Sequence, residues 1–308
     1  MPCRHRLLCA MSLTFALTAC GGGADDAADA PITEPTQVSV TEGFATPESV
    51  LWDAEQQVWF VSNINGGPTD RDDNGFISRL TADGTIDSLH WVSGGRGGVT
   101  LNAPKGMAIV GDLLWVTDID ALRAFDRRSG ALMASMEFGD QAKFLNDITA
   151  DPDGALYITD TGIAIGPEGM TRPGPDRIFK VVDGMMEVIA EGAHLEAPNG
   201  IAWDAANNRL IMVPFASAAL YTLSPDGRAG SLGTGLGGHD GVEILADGRI
   251  IVSSWEGGSV FAVGVDNAEN TVLISGLDAP ADIGLDRARN VVAIPLFNQN
   301  RVEFWRIP

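Results

Sequence analysis

The sequence predicts an all-β chain, a six-bladed β-propeller whose N-terminal strand closes the last blade. Three observations carry that expectation. A short motif recurs six times, the strands around it are rich in β-branched and aromatic residues, and the last repeat lacks a fourth strand that the N-terminus supplies. The repeat starts are Pro47-Glu48-Ser49-Val50, Pro104-Lys105-Gly106-Met107, Leu145-Asn146-Asp147-Ile148, Pro198-Asn199-Gly200-Ile201, His239-Asp240-Gly241-Val242 and Pro280-Ala281-Asp282-Ile283. Their second residues lie 57, 41, 53, 41 and 41 positions apart, which is a four-stranded blade repeat carrying two insertions.

Residues 1–19 read as an export leader. A basic stretch with Arg4 and Arg6 precedes a short apolar run and a small-residue exit. Leu17-Thr18-Ala19-Cys20 resembles a bacterial lipobox, which implies cleavage before Cys20 and a lipid on its sulfur. Gly21 is not the aspartate that favours inner-membrane retention, so the expected destination is the outer membrane or periplasmic face of the envelope. Residues 20–36 are small, acidic and proline-containing, the composition of a flexible tether. The propeller is expected over 37–308. The cysteines are Cys3, Cys9 and Cys20, so the processed chain keeps a single cysteine, and its fold rests on burial rather than a disulfide.

Within the propeller, Gln37–Thr41 is the strand expected to lie beside the last one, Arg301–Arg306, cover its apolar side and leave no open edge. Each start leads through a turn such as Asp151-Pro152-Asp153-Gly154 into a second strand such as Val58-Trp59-Phe60-Val61 or Leu156-Tyr157-Ile158-Thr159. Those second strands end in small or acidic residues. Trp52 and Trp203 share one repeat slot with Ile109, Ala150, Ile244 and Leu285, which marks a packing position between blades rather than a ligand cage. Asp70-Arg71-Asp72-Asp73-Asn74-Gly75 opens like a calcium-binding EF-hand loop, but Thr81 stands at its twelfth position and no helices flank it. It reads as a long hairpin of the first blade at the channel mouth. The insertion over 166–176 lengthens the turn between the second and third strands of blade three and is placed to overhang a pocket.

With 41 acids against 20 bases, a net charge of −21 excludes nucleic acid as a partner and disfavours an anionic membrane surface. Any membrane contact is expected through the lipid on Cys20. The chain is expected to be a monomer with a small-molecule substrate.

The second residue of each start forms the informative column: Glu48, Lys105, Asn146, Asn199, Asp240 and Ala281. Equivalent positions on innermost strands converge on the channel axis, so residues distant in sequence meet there. Four of the six bear carboxylate or carboxamide oxygens, while other columns are mostly apolar or turn-forming. Such a hard oxygen set suits one divalent metal, Ca2+ first, with Zn2+ or Mn2+ as alternatives. The column has no His or Cys, which argues against a dedicated zinc site.

Pro47-Glu48 before Val-Leu-Trp-Asp, Asn146-Asp147 before Ala150-Asp151-Pro152-Asp153-Gly154, Pro198-Asn199-Gly200-Ile201-Ala202-Trp203 and Asp240-Gly241 together resemble the SMP-30/gluconolactonase family, and more distantly the paraoxonases. The resemblance covers roughly 37–308. It implies that Glu48, Asn146, Asn199 and Asp240 are metal ligands, that Asp240 is also the catalytic base, and that the activity is metal-dependent hydrolysis of lactones or related esters at the channel mouth. No G-x-S-x-G nucleophile elbow is present to suggest a serine hydrolase.

Three residues depart from that pattern. Lys105, a second catalytic candidate, either clamps a substrate carbonyl or carboxylate, or pairs with Glu48 and weakens the site. Ser49 stands where paraoxonases carry an acid for a second calcium, despite Asp147 nearby. His239, beside Asp240, either shuttles a proton or makes an ordinary hydrogen bond. Enzymatic function is the leading reading. The alternative is a non-catalytic envelope propeller that binds a small ligand or a protein, and a further one is a metal-binding relative without turnover. Fold does not choose among them, because propellers host all three.

Overall fold

Short runs of Val, Ile, Leu and aromatics, cut every few residues by Gly, Asp or Asn, cannot form helices but pair readily as pleated strands. The computed structural model describes residues 1–2, 33–166, 169–264 and 268–308. The chain divides into two units, Met1–Pro31 and Ile32–Pro308. Most of the first, including the leader and Cys20, lies outside the described residues, as does the tether up to residue 32. The second unit is built from six four-stranded antiparallel sheets.

Blade one comprises β2 (Pro47–Asp53), β3 (Val58–Asn63), β4 (Phe76–Thr81) and β5 (Ile86–Ser93). Blade two comprises β6 (Pro104–Val110), β7 (Leu113–Asp118), β8 (Ala121–Asp126) and β9 (Leu132–Glu137). Blade three holds β10 (Leu145–Ala150), β11 (Leu156–Asp160), β14 (Arg177–Val182) and β15 (Met185–Glu191), with a separate hairpin of β12 (Ala164–Gly166) and β13 (Gly169–Thr171) inserted after β11. Blade four runs β16 (Pro198–Asp204), β17 (Arg209–Pro214), β18 (Ala219–Leu223) and β19 (Ala229–Thr234). Blade five runs β20 (His239–Ile244), β21 (Ile250–Ser254), β22 (Ser259–Ala262) and β23 (Thr271–Ser275).

Blade six is ordered β24 (Gly284–Asp286), β25 (Val291–Leu296), β26 (Arg301–Arg306) and β1 (Thr36–Glu42). The expected closure is therefore present: Thr36 faces Arg306, Gln37 faces Trp305 and Glu42 faces Arg301 in an antiparallel ladder. The strand does not close the blade by apolar cover, however. Val38 and Val40 are 52% and 43% exposed. Its hold is the backbone ladder, together with side chains that reach blade one: Ser39 Oγ donates to Asp83 O at 3.1 Å and Thr41 Oγ1 to Gly84 O at 2.6 Å. Blade six differs from the others at its inner strand, which begins only at Gly284. The preceding residues turn to blade one instead, with Asp282 N donating to Glu48 O at 2.9 Å and Val50 N to Asp282 O at 3.2 Å.

The inner strands β2, β6, β10, β16, β20 and β24 neighbour one another in sequence and close back from β24 to β2. Burial is divided accordingly. Six apolar clusters lie one between each pair of adjacent blades. Between blades one and two sit Phe60, Ile77, Leu114 and Phe125, and between six and one sit Trp59, Leu80, Ala293 and Phe304. Trp52 and Trp203 pack at such seams, Trp203 stacking on Tyr157 at 5.8 Å and Trp52 lying 4.7 Å from Trp59, as the packing reading expected. Both also line the mouth opposite to the one described next.

Candidate functional site at the channel mouth

Each of the first five inner strands starts with an irregularity in its pairing, between Pro47 and Val50 in β2, for example, and between His239 and Val242 in β20. A bulge frees two residues from the ladder and re-aims their side chains. The freed residues are the second and third of each start. Glycine at the third position is a packing requirement: a Cβ on Gly200 would sit 2.2 Å from Asp240 O, and one on Gly241 would sit 2.4 Å from Ile283 N.

Repeated side chains from the second strands fix the geometry. Asn63, Asp118 and Asp160 end β3, β7 and β11 and accept the backbone N–H groups of Ala45 (3.0 Å), Ala103 (2.8 Å) and Phe144 (2.8 Å). They thereby anchor the segments that lead into Glu48, Lys105 and Asn146. One residue earlier, hydroxyls clasp the next blade: Thr117 Oγ1 donates to Asn146 O (2.6 Å), Thr159 Oγ1 to Asn199 O (2.7 Å) and Ser253 Oγ to Ala281 O (2.8 Å).

So held, Glu48, Lys105, Asn146, Asn199 and Asp240 all line one cavity of about 260 Å³. Ala281 is fully buried and does not line it. The carboxamides are oriented by their amino groups. Asn146 Nδ2 donates to Thr161 Oγ1 (3.1 Å) and Asn199 Nδ2 to His239 O (3.1 Å), so neither Oδ1 has a protein donor among the described residues. Asp240 Oδ2 accepts Trp255 Nε1 at 2.7 Å. Glu48 Oε2 and Asp240 Oδ1 are buried without any partner among the described residues.

Burial raises Glu48 well above the ordinary carboxylate range, with further contributions from Asp240 and Asp282 and opposition from Lys105. Asp240 is pushed up to about 8, by burial first and then by Asp282, against the hydrogen bond from Trp255. Lys105, 1% exposed, is brought down to about 8 by burial, with Glu48 and Asp118 working the other way. Its ammonium does not touch Glu48. It donates to Ala103 O at 2.9 Å and lies 4.4 Å from the centre of the Phe144 ring.

The buried, unpartnered oxygens are what a cation site would show with its cation absent. Two carboxylates and two free amide oxygens are a donor set that Ca2+ fits, whereas no three His, Cys, Asp or Glu side chains converge as a cage among the described residues. Below this layer, the Asp147 carboxylate accepts Ile148 N and Ile201 N, both at 2.7 Å, and Ser49 Oγ donates to Asp282 Oδ2 at 2.5 Å. These groups tie inner strands to one another. His239 is fully buried, does not line the cavity, accepts Gly237 N at 3.1 Å through Nε2 and is lowered to about 4 by burial. Its Nε2 is thus engaged by the backbone, as in the ordinary hydrogen bond of the two readings.

The acidic loop between β3 and β4 is a long hairpin connection whose carboxylates are already engaged. Asp70 accepts Gly67 N, Asp73 accepts Leu101 N, Asp72 accepts Asn74 Nδ2, and Arg71 pairs with Asp120. Pro68 of this loop reaches the cavity, and Thr69 Oγ1 donates to Ile165 O (2.7 Å) on the β12–β13 hairpin, whose Ile165 and Met170 also line it.

Sequence reasoning did not single out Trp255, Thr161, Phe215, Phe297 or Ile64. All five line the cavity, and all immediately follow a second strand. Their signal is a second column, Ile64, Ile119, Thr161, Phe215, Trp255 and Phe297, of which only Ile119 stays out of the cavity. Phe215 and Phe297 lie 5.6 and 5.4 Å from the Trp255 ring and hold it against Asp240.

No curated protein matches the chain by sequence. Among solved structures, a gluconolactonase of Xanthomonas campestris is similar at 17% identity over 89% of each chain, with a TM-score of 0.64. A second gluconolactonase candidate is similar at 17% identity over 89% of this chain and 92% of its own, with a TM-score of 0.63. A chain of the nidogen/laminin complex is similar at 21% identity, covering 73% of this chain and 78% of its own, with a TM-score of 0.55. Those identities carry the fold alone. The family model described as the SMP-30/Gluconolactonase/LRE-like region matches residues 46–274, a span that contains Glu48, Lys105, Asn146, Asn199 and Asp240, and by that match the chain belongs to the SMP-30/gluconolactonase/LRE-like family.

Proposed function

We propose that the chain is a divalent-metal-dependent hydrolase of lactones or related esters acting at this mouth, exported and held at the envelope by lipid on Cys20. One observation carries the proposal. Glu48 Oε2 and Asp240 Oδ1 are buried without partners in a cavity that also receives the oxygens of Asn146 and Asn199. These four residues would hold the metal, Ca2+ by their chemistry, and such an ion supplies Lewis-acid polarisation of an acyl carbonyl.

The chain's own groups divide the remaining work. Trp255 fixes the Asp240 carboxylate through Oδ2 and so orients it as the base for an attacking water. Lys105, with one N–H bound to Ala103 O, has donors left for a carbonyl oxygen on which negative charge develops, or for a substrate carboxylate. The apolar walls exclude bulk water, which strengthens both interactions.

The test is elemental analysis of the processed protein, followed by turnover of a lactone panel with and without chelator. Asp240→Asn should bind less calcium and lose hydrolysis by roughly a hundredfold or more, the scale of a lost general base. Full activity in that variant, or in chelator, defeats the proposal. Cys20→Ser should lose incorporation of labelled fatty acid, and label retained in the variant defeats the anchoring.

A further inference from the structure

We propose that the cavity selects acyl substrates by an apolar body, an alkyl or aryl group attached to the lactone or ester, and that Ile165 and Met170 are specificity residues for it. The proposal rests on the hydrolase reading above and adds the substrate class. The polar residues of the cavity, Glu48, Lys105, Asn146, Thr161, Asn199 and Asp240, are all buried and make its floor. Around them rise Ile64, Phe144, Phe215 and Phe297, and the hairpin sets Ile165 and Met170 over the opening.

The floor's donors are also largely committed. Asn146 Nδ2, Asn199 Nδ2 and Trp255 Nε1 all point into the protein, and one N–H of Lys105 is taken by Ala103. A sugar lactone carries a hydroxyl on nearly every carbon. Against these walls the hydroxyls distant from the floor would be stripped of water with nothing to meet, and each costs about tenfold or more in binding. An alkyl or aryl group gains from the same burial.

The rim points the same way. Ile165 is 37% and Met170 59% exposed, although both belong to the cavity lining. Apolar surface left in water at the edge of a pocket is surface that a ligand can cover, and methionine adapts its shape to do so. At about 260 Å³ the cavity is slightly smaller than typical drug-sized sites of about 300–1,000 Å³, so a lactone ring with one modest substituent fills it.

Two measurements on the calcium-loaded processed protein decide the matter. The first compares kcat/KM for δ-decalactone, δ-valerolactone and glucono-δ-lactone, in the parent and in Ile165→Ser and Met170→Ser. The alkyl lactone is expected to exceed the sugar lactone by at least about tenfold. Each serine variant should lose about threefold to tenfold on the alkyl lactone, through KM, with a smaller change for the unsubstituted ring. The second measures, by calorimetry, the binding of non-hydrolysable δ-lactams bearing either an alkyl arm or sugar-like hydroxyls. Tighter binding of the alkyl lactam, weakened by both serine variants, upholds the selection even if no lactone is turned over, in which case only the hydrolase reading falls. Equal or tighter binding of the hydroxylated lactam, or a preference that both variants leave intact, overturns the proposal whatever the turnover.

Discussion

Asp240 draws its character from a residue fifteen positions away. The Trp255 indole N–H holds one carboxylate oxygen at 2.7 Å, and two phenylalanines brace the indole. That hydrogen bond opposes burial and Asp282, which drive Asp240 up to about 8. Trp255→Phe removes the donor and keeps an aromatic ring in the box. The carboxylate then loses a stabilising partner, so the acidic limb of the pH–rate profile should move to higher pH while kcat falls by about tenfold. An unmoved acidic limb would mean that Trp255 acts only in packing. At this scale the sequence was half legible. The column of Glu48, Asn146, Asn199 and Asp240 stood out because a repeat converts distant positions into neighbours. The exit column did not, because Ile64, Thr161, Phe215 and Trp255 share a location but no chemistry. The orientation of Lys105 was also beyond reach, since a long flexible side chain chooses between a carbonyl and a carboxylate only once Ala103 and Phe144 are in place.

The elements divide into those that position and those that close. Second strands position: their terminal acids cap the loops of their own blade, and their hydroxyls clasp the next. β1 closes, and it does so by backbone pairing and two hydroxyl contacts to the turn after β4, its valines staying half exposed. Removing residues 21–34 should therefore leave the melting temperature nearly unchanged. Removing 21–42 leaves the β26 ladder unpaired and should cost on the order of a few kcal/mol, with aggregation through the bare edge. Equal melting temperatures for the two truncations would show that blade six closes without its outer strand. The existence of this closure and the strand it pairs with were readable because the last repeat stops after three strands. Its mechanism was not, since apolar residues at alternate positions suggest cover, and only the packed structure leaves Val38 and Val40 half exposed.

The whole molecule stores acid groups on its axis. Asp282, buried on the axis, is pushed up to about 7, mainly by burial, as Asp240 is to about 8. Unfolded carboxyls titrate near ~4, so between there and about 7 the native state holds more protons than the unfolded chain, and stability falls as pH rises. In chelator the protein should therefore melt higher at pH 5.5 than at pH 8, and calcium at pH 8 should restore part of the difference by binding only the native state. A melting temperature that rises with pH across that window in chelator would contradict this account. The net charge of −21 adds repulsion in the same direction. The charge was legible in composition, but its concentration on the channel axis follows from the second and third columns of the repeat, which bring Glu48 and Asp240 together with Asp147 and Asp282.

Closure by β1 also makes the order of the blades in the chain a matter of convention. Thr36 and Arg306 are ladder partners, so a turn of ordinary hairpin length would join the two ends of the propeller and make blade six covalently continuous. The circle could then be opened elsewhere, for instance at the exposed Arg96–Gly98 turn between β5 and β6, without separating any strand from its sheet. The six cores would be untouched, because each lies at a seam and none depends on which blade is spelled first. A circularly permuted chain of this kind should fold to the same ring, with Glu48 at the far end of its sequence and the same place in the cavity.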